Sequence, residues 1–167
     1  MNRKPLGELL LEAGVINTEQ LNYALTLKQQ RFAKDKIGQV MLYLNYIDQD
    51  TLIKFLGRQY GSPTINLRKE IIDEEAVHLI PKEIARRYKV ISVGFKTDAN
   101  RKKLMVAMPD PTNLEVVDTI SFITGYSIEP LLAREEDLSW VIAYYYNKKE
   151  LFRRKSETPK TPPRGFR

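Results

Sequence analysis

The sequence contains no cysteine and a single histidine, His78. The absence of cysteine excludes disulfides, thiolate metal ligands and a cysteine nucleophile. A transition-metal site or a histidine-dependent triad would have to recruit His78, which has no second histidine or recognisable catalytic partner beside it. A packed or surface histidine is therefore the favoured interpretation.

Long apolar runs are also absent. No stretch approaches the roughly 20 apolar residues that span a bilayer as a helix. The first residues, Met-Asn-Arg-Lys, are followed almost at once by Gly7 and Glu8, so no apolar segment typical of a secretory signal is found there. We therefore expect a cytoplasmic location.

The motifs of common enzymes are missing as well. The phosphate-binding pattern Gly-x-x-x-x-Gly-Lys-Ser/Thr does not occur. Gly94-Phe95-Lys96-Thr97 is only a Gly-x-Lys-Thr fragment on a predicted strand, without the first glycine of that pattern. There is no Gly-x-Ser-x-Gly nucleophile elbow. The acidic runs at 73–75 and 135–137 fall at predicted helix starts, where carboxylates favour the helix dipole. The sequence predicts a protein that is not an enzyme.

Positive charge is concentrated at one end of the chain. The net charge is +6, and residues 148–167 hold eight basic and two acidic residues, so residues 1–147 are balanced. This Pro-rich, basic stretch predicts a disordered tail over 148–167, with a solvated linker as the default interpretation. It also supports an alternative function, an adaptor whose basic tail binds nucleic acid or anionic membrane.

The chain contains an internal duplication. An offset of 31 residues aligns copy one, Leu6–Lys28, with copy two, Ile37–Gln59, without a gap. Gly14 aligns with Asn45, and both residue types tolerate the left-handed conformation that ends a helix. Each copy therefore predicts two helices around a tight turn, with Asn17 or Thr18, and Asp48, as N-caps. Mutual burial of the two hairpins would by itself explain most of the shared apolar positions, namely Leu9/Val40, Leu10/Met41, Leu11/Leu42, Ile16/Ile47, Leu21/Leu52 and Leu25/Leu56.

The second half predicts a different kind of unit. Gly61-Ser62-Pro63 indicates a boundary near residue 62, followed by a strand-like run at 64–67. A hairpin (89–95 with 103–108), a helix that Gly125 closes and a third strand (127–133) follow, with helices at 73, 82–88 and 135–146. The predicted class is α+β: a duplicated helical subdomain (1–62), an α+β subdomain (63–147) with a mostly antiparallel three-to-four-stranded sheet, and the tail (148–167).

Copy one contains the pattern Leu-Gly-x-x-Leu, Gly, Ile, Leu-x-x-Ala-Leu, which consists of Leu6, Gly7, Leu10, Gly14, Ile16, Leu21, Ala24 and Leu25. In this pattern the copy resembles the amino-terminal domain of type II secretion and type IV pilus assembly ATPases. Landmarks at 80–88, 108–111 and 124–126 are similar to that family too, so the resemblance covers residues 5–147. It implies a non-catalytic regulatory or docking module that binds an inner-membrane platform protein or an ATPase-associated protein of a secretion or pilus system. Through such a partner the module would be peripheral to the inner membrane.

The MshEN branch of this family implies a ligand. Its tandem motifs bind cyclic di-GMP, with an Arg before the Leu-Gly and a Gln three residues after the last Leu. Copy two has Lys36 and Gln59 at these positions, whereas copy one has Pro5 and Lys28, with Arg3 and Lys4 nearby. We therefore expect copy two to provide more of the contact, and cyclic di-GMP to be a regulatory ligand rather than a required cofactor. The candidate site that the resemblance implies is Leu6, Gly7, Leu10, Lys28, Lys36, Ile37, Gly38, Met41 and Gln59.

Overall fold

The computed structural model describes the backbone of residues 3–156 and the side chains of residues 3–147. A helical first part is followed by a sheet with helices, which confirms the α+β class. None of the described helices is both long and apolar enough to cross a membrane. The elements are α1 (Leu6–Glu12), α2 (Thr18–Arg31), α3 (Ile37–Tyr43), α4 (Gln49–Tyr60), α5 (Glu74–Val77), α6 (Lys82–Tyr88), β1 (Ile91–Asp98), β2 (Arg101–Met108), α7 (Leu114–Thr124), β3 (Ser127–Leu132) and α8 (Glu135–Ser156).

The two copies share the turn that joins their helices. Gly14 has a φ of 66° and Asn45 a φ of 53°, so both adopt the predicted left-handed conformation. Each turn is a Schellman motif, in which two backbone N–H groups satisfy carbonyls of the preceding helix. The four hydrogen bonds, each 3.0 Å, run from Gly14 to Leu11, Val15 to Leu10, Asn45 to Leu42 and Tyr46 to Met41.

The second helix of each copy begins at a predicted cap. Asn17 accepts a hydrogen bond from the Gln20 backbone at 2.8 Å, and the Gln20 side chain accepts from the Asn17 backbone at 2.9 Å, which makes a full capping box. Asp48 accepts from the Thr51 backbone at 2.7 Å. Hydrogen bonds from Thr51 hold the pKa of Asp48 below its ordinary value.

The copies pack crosswise. α1 contacts α4, and α2 contacts α3, so each copy completes its core with a helix of the other. Leu25, which the pattern placed on the buried face with Leu21, is 42% exposed, so that part of the prediction is wrong. The buried side chains of this first cluster are Leu6, Leu10, Ile16, Ala24, Val40, Met41, Ile47, Leu52 and Phe55.

The sheet has three strands in the order β1-β2-β3 and is mixed. β1 and β2 form the predicted antiparallel hairpin, but β2 and β3 pair in parallel, so the mostly antiparallel prediction is wrong for one of the two pairings. The reason is α7, because a helical crossover returns the chain to the end where β2 began. The strand predicted at 64–67 is reduced to one parallel bridge between Thr64 and Leu132.

The two units meet around α4. Asp50 in the first turn of α4 pairs with Arg134 just before α8. Near the other end of α4, a Cβ on Gly57 would lie 2.7 Å from the Thr64 methyl, so the absence of a side chain permits this approach. A second core of buried residues, from Leu67 to Tyr146, lies beyond α4. The division of the chain at residue 62 stays a prediction.

The last helix is longer than predicted. α8 continues beyond Tyr146 to Ser156, so both the predicted end at Tyr146 and the predicted disorder are wrong for residues 148–156. These residues are mainly Lys, Arg, Glu and Leu, which are strong helix formers, and the first proline comes later, at position 159. The remainder of the predicted tail, 157–167, lies outside the described residues.

Tyr146 ties α8 to the segment around α5. Its buried hydroxyl lies 2.8 Å from the Val77 carbonyl and 2.7 Å from the Ile80 carbonyl, and burial raises the pKa of Tyr146 to about 12. Tyr146→Phe leaves both carbonyls without this donor, so we expect a loss of about 1–3 kcal/mol in the free energy of unfolding. Urea denaturation measures it.

The same hydroxyl predicts a pH dependence. Because its pKa is raised in the folded state, its contribution is fully present below pH 10, the ordinary tyrosine value, and is lost as the pH rises towards 12. The stability difference between the parent chain and Tyr146→Phe should therefore shrink over this interval. A difference that stays constant from pH 8 to pH 12 would contradict the assignment.

Candidate functional site

The candidate polar residues lie where the two copies cross. Gln59, at the carboxyl end of α4, donates its side-chain N–H to the Lys4 carbonyl just before α1, at 3.1 Å. Its repeat equivalent, Lys28, lies on α2, which packs against α3, and Lys36 is the N-cap residue of α3. The structure thus associates the glutamine position of copy two with the start of copy one.

The α2–α3 side of the site is cationic. Lys36 is exposed, and its side chain makes no capping hydrogen bond to α3. Lys28 is half-buried, and its ammonium donates to the Ala33 carbonyl at 3.4 Å, a long hydrogen bond that leaves other donors available. Ile37, which follows Lys36, is also half-buried.

The α1–α4 side combines the amide of Gln59 with two cations, Lys4 and Arg3. Lys4 pairs with Glu12 at 2.6 Å, and this hydrogen bond raises the pKa of Lys4. Arg3 is exposed. Burial is the main cause of the raised pKa of Tyr60, the neighbour of Gln59, and the positive charge of Arg3 partly opposes this rise. Pro5, at the position of the family's Arg, is the N-cap residue of α1.

Three apolar candidates belong to the core. Leu6 is 5% exposed, and Leu10 and Met41 have no exposed surface. In this conformation they hold the helices together and present almost no surface to a ligand. A direct ligand contact by these three residues stays a prediction, and their position favours packing.

The two candidate glycines permit close packing between helices. A Cβ on Gly7 would lie 2.6 Å from a terminal methyl of Leu21, and one on Gly38 would lie 2.6 Å from a methyl of Leu52 and 3.2 Å from a methyl of Leu6. Both glycines are buried. Their small size therefore serves the contact within the protein, and their role towards a ligand stays a prediction.

The structure draws attention to two leucines outside the predicted site. Leu25 is exposed and lies three residues before Lys28, while Leu56 is half-buried and lies three residues before Gln59. Residues three apart share one face of a helix, so each leucine adjoins a candidate polar side chain. The alignment of the repeats pairs these two leucines, but apolar residues at this spacing favour a position in the core.

The remaining candidates for a functional site are the side chains that could bind a metal ion, including His78. Within the described residues, no group of three or more His, Cys, Asp or Glu side chains is arranged to hold a metal ion. His78 is exposed and its ring packs edge-on against Tyr146, with centroids 5.9 Å apart. This is the packed or surface histidine that the sequence favoured.

A crossed pair of repeated helical hairpins followed by a small mixed-sheet unit defines the class of amino-terminal domains found in type II secretion and type IV pilus ATPases. The chain belongs to the MshEN domain family, whose family model matches residues 60–150.

Curated relatives extend the similarity into the repeats. The type IV pilus assembly ATPase PilB of Myxococcus xanthus is 36% identical over 144 residues, which cover 86% of this chain and 24% of that protein. PilB of Thermus thermophilus is 27% identical over 143 residues, which cover 86% of this chain and 16% of that protein. The chain therefore spans about a quarter of these relatives or less.

Two solved structures are similar. MshE with cyclic di-GMP has a TM-score of 0.72 and 30% sequence identity, and the match covers 86% of this chain and all of that one. The N-terminal domain of XpsE has a TM-score of 0.53 and 13% identity, over 85% of this chain and 96% of that one, which shows the fold alone.

Proposed function

We propose that this chain is a regulatory and docking module that binds cyclic di-GMP on its duplicated helical unit. The observation that carries the proposal is the similarity to MshE with cyclic di-GMP, which extends over 86% of this chain at 30% identity. The binding residues proposed here come from the positions that the structure leaves accessible.

The accessible side chains match the parts of a cyclic dinucleotide. Lys28, Lys36 and Arg3 supply positive charge for the two phosphates, each as a charge-assisted donor. The side-chain oxygen of Gln59 accepts from a guanine edge while its N–H holds the Lys4 carbonyl. Leu25 and Leu56 provide apolar surface for the purine faces.

The site we propose has two unlike sides. The α2–α3 side offers two ammonium groups and no family-type amide, whereas the α1–α4 side offers the amide of Gln59 with Arg3 close to the neighbouring Tyr60. The sequence predicts that copy two provides more of the contact than copy one, through Lys36 and Gln59, and this proposal adds Lys28 of copy one and Arg3 just before it. Both copies contribute to each side, because the helices cross.

The module is proposed to be non-catalytic. The 167 residues contain no phosphate-binding loop of the type that ATP hydrolysis needs. By analogy with the pilus ATPases, its partner would be a platform protein of a pilus or secretion system at the cytoplasmic side of the inner membrane. Ligand binding would then regulate this docking.

Calorimetric titration of cyclic di-GMP into the full chain tests the ligand. We expect saturable heat with one ligand per chain, weakening as salt is raised because phosphate contacts are screened. GMP at the same concentration is the control, and it should give little heat because it offers one phosphate and one base. The absence of saturable binding by cyclic di-GMP would end the ligand proposal.

A further inference from the structure

α7 has a buried side and an apolar exposed side. Val116 and Ile120 on the buried side are at most 6% exposed, and the helix contacts β3. On the opposite side Leu114 is 71% exposed and Phe122 is 91% exposed. Single apolar residues are common at protein surfaces, but here two large ones lie in line on one helix, and packing within the chain does not account for them.

A carboxylate lies between the two apolar residues. Leu114, Asp118 and Phe122, which we call the outer face of α7, follow one another at intervals of four residues and so form one ridge along the helix. The two apolar side chains are therefore about 12 Å apart along the axis, with Asp118 midway. Asp118 is exposed, and within the described residues it forms no ion pair.

The segment that contains the outer face carries charge of one sign. Residues 104–133 hold four acidic residues and no lysine or arginine, although the whole chain holds 27. Glu115 is exposed beside Asp118, and it too lacks an ion pair in the part of the chain that the structure describes. The outer face therefore favours a cationic partner, and it disfavours nucleic acid and anionic lipid.

A second copy of this chain fits the outer face poorly. If two α7 helices packed about a two-fold axis, the outer face would meet itself, and the Asp118 carboxylates of the two copies would lie close together. Like charges at the centre of an interface disfavour that pairing. A helix of another protein fits better, because its residues at four-residue intervals form a ridge of the same spacing as the outer face.

We propose that the outer face of α7 docks an amphipathic helix of a partner protein, which carries an arginine or lysine between two apolar residues. The basic side chain pairs with Asp118, and the apolar residues pack on Leu114 and Phe122. This inference rests on the docking role proposed above. It assigns the partner to α7, which is not one of the repeated helices, so the partner and cyclic di-GMP use different elements of the chain.

Two synthetic helical peptides test this docking on the full chain. One places an arginine midway between two leucines at the i, i+4 and i+8 spacing of a helix ridge, and the other has glutamate in place of the arginine. In a fluorescence anisotropy titration we expect saturable binding of the arginine peptide, about tenfold tighter than that of the glutamate peptide, because only arginine pairs with Asp118. D118K should reverse this preference.

The apolar contact is tested with one variant and a matched control. Phe122→Ala should weaken binding of the arginine peptide about tenfold, because it removes the larger apolar contact. Ile71→Ala is the control, since Ile71 is 97% exposed and lies before α5, outside the outer face. It should change the affinity by no more than about twofold. Both side chains are exposed, so both variants should keep the far-UV circular dichroism spectrum of the parent chain.

Several outcomes would overturn the proposal. These are the absence of saturable binding, equal affinity of the parent chain for the two peptides, and an equal loss in Ile71→Ala and Phe122→Ala. Self-association of the parent chain in sedimentation experiments, abolished by Phe122→Ala, would instead assign the outer face to a second copy. Cyclic di-GMP should bind Phe122→Ala as it binds the parent chain, so failure of the ligand proposal and failure of this docking are observed in separate titrations.

Discussion

Replacing Gly38 with valine is expected to lower the free energy of unfolding by about 2–3 kcal/mol. The site has no room, since a Cβ alone would lie 2.6 Å from Leu52 and 3.2 Å from Leu6. Both leucines are at least 94% buried, so their methyl groups cannot move into solvent. The added methyl groups of valine must push α3 away from α1 and α4. Urea denaturation followed by far-UV circular dichroism measures the loss.

Gly7→Val is the matched variant in copy one. The nearest obstacle there is Leu21 alone, which is half-buried and has space to turn outward, so we expect a smaller loss. Adding Leu52→Ala to Gly38→Val should cost less than the sum of the two changes, because the smaller side chain makes room for the valine. An equal loss in Gly7→Val and Gly38→Val would contradict this account of the packing.

The second large effect concerns the proposed ligand. Lys28→Ala with Lys36→Ala is expected to weaken cyclic di-GMP binding about a hundredfold, at about tenfold for each lost charge-assisted contact. If the two residues contribute to one side of the site, their losses should exceed that of Gln59→Ala, which removes a neutral contact. Calorimetric titration at fixed salt measures all three variants.

Two further lysines serve as the control for charge. Lys54 and Lys69 are exposed and lie outside the candidate site, so Lys54→Ala with Lys69→Ala removes the same charge from elsewhere on the protein. We expect this control to change the affinity less than threefold. If it weakens binding as much as the change at positions 28 and 36, the ammonium groups act through the general field and not through contact.

Much of the fold was predictable because its signals are local. Gly14 and Asn45 were recognisable as turn residues since the left-handed conformation restricts which side chains fit. Asn17, Asp48 and Gly125 could be assigned to helix ends for similar reasons, and each occupies its predicted position. These features depend on a few neighbouring residues, so a single sequence is enough to predict them.

The features that were missed depend on the path of the whole chain. Whether β3 runs parallel or antiparallel to β2 is decided by the crossover through α7, and strand composition does not report it. Leu25 follows the same apolar spacing as Leu21, yet the crossing of the two copies leaves it exposed. The sequence predicts the end of α8 too early, because the prolines of the tail disfavour a helix while the residues just before them are strong helix formers.

For the candidate site, the sequence predicts individual residues but not how they group in space. Gln59 and Lys4 are 55 positions apart, and only the packing of α1 against α4 brings them together. Alignment of the repeats compares one copy with the other, but it cannot show that a helix of each copy packs against a helix of the other. Leu6, Leu10 and Met41 are buried in the core, so their position favours packing, and a ligand contact by them stays a prediction.

α4 has one end in each unit. Its first turn holds Arg134 through Asp50, and its last turn holds the start of α1 through Gln59. Its twelve residues form a rod about 18 Å long, which resists bending because each turn is braced by backbone hydrogen bonds. A tilt of α4 at its Gln59 end therefore also displaces Asp50 and, with it, the start of α8. Through α4, a movement in the repeats is coupled mechanically to the unit that contains the sheet.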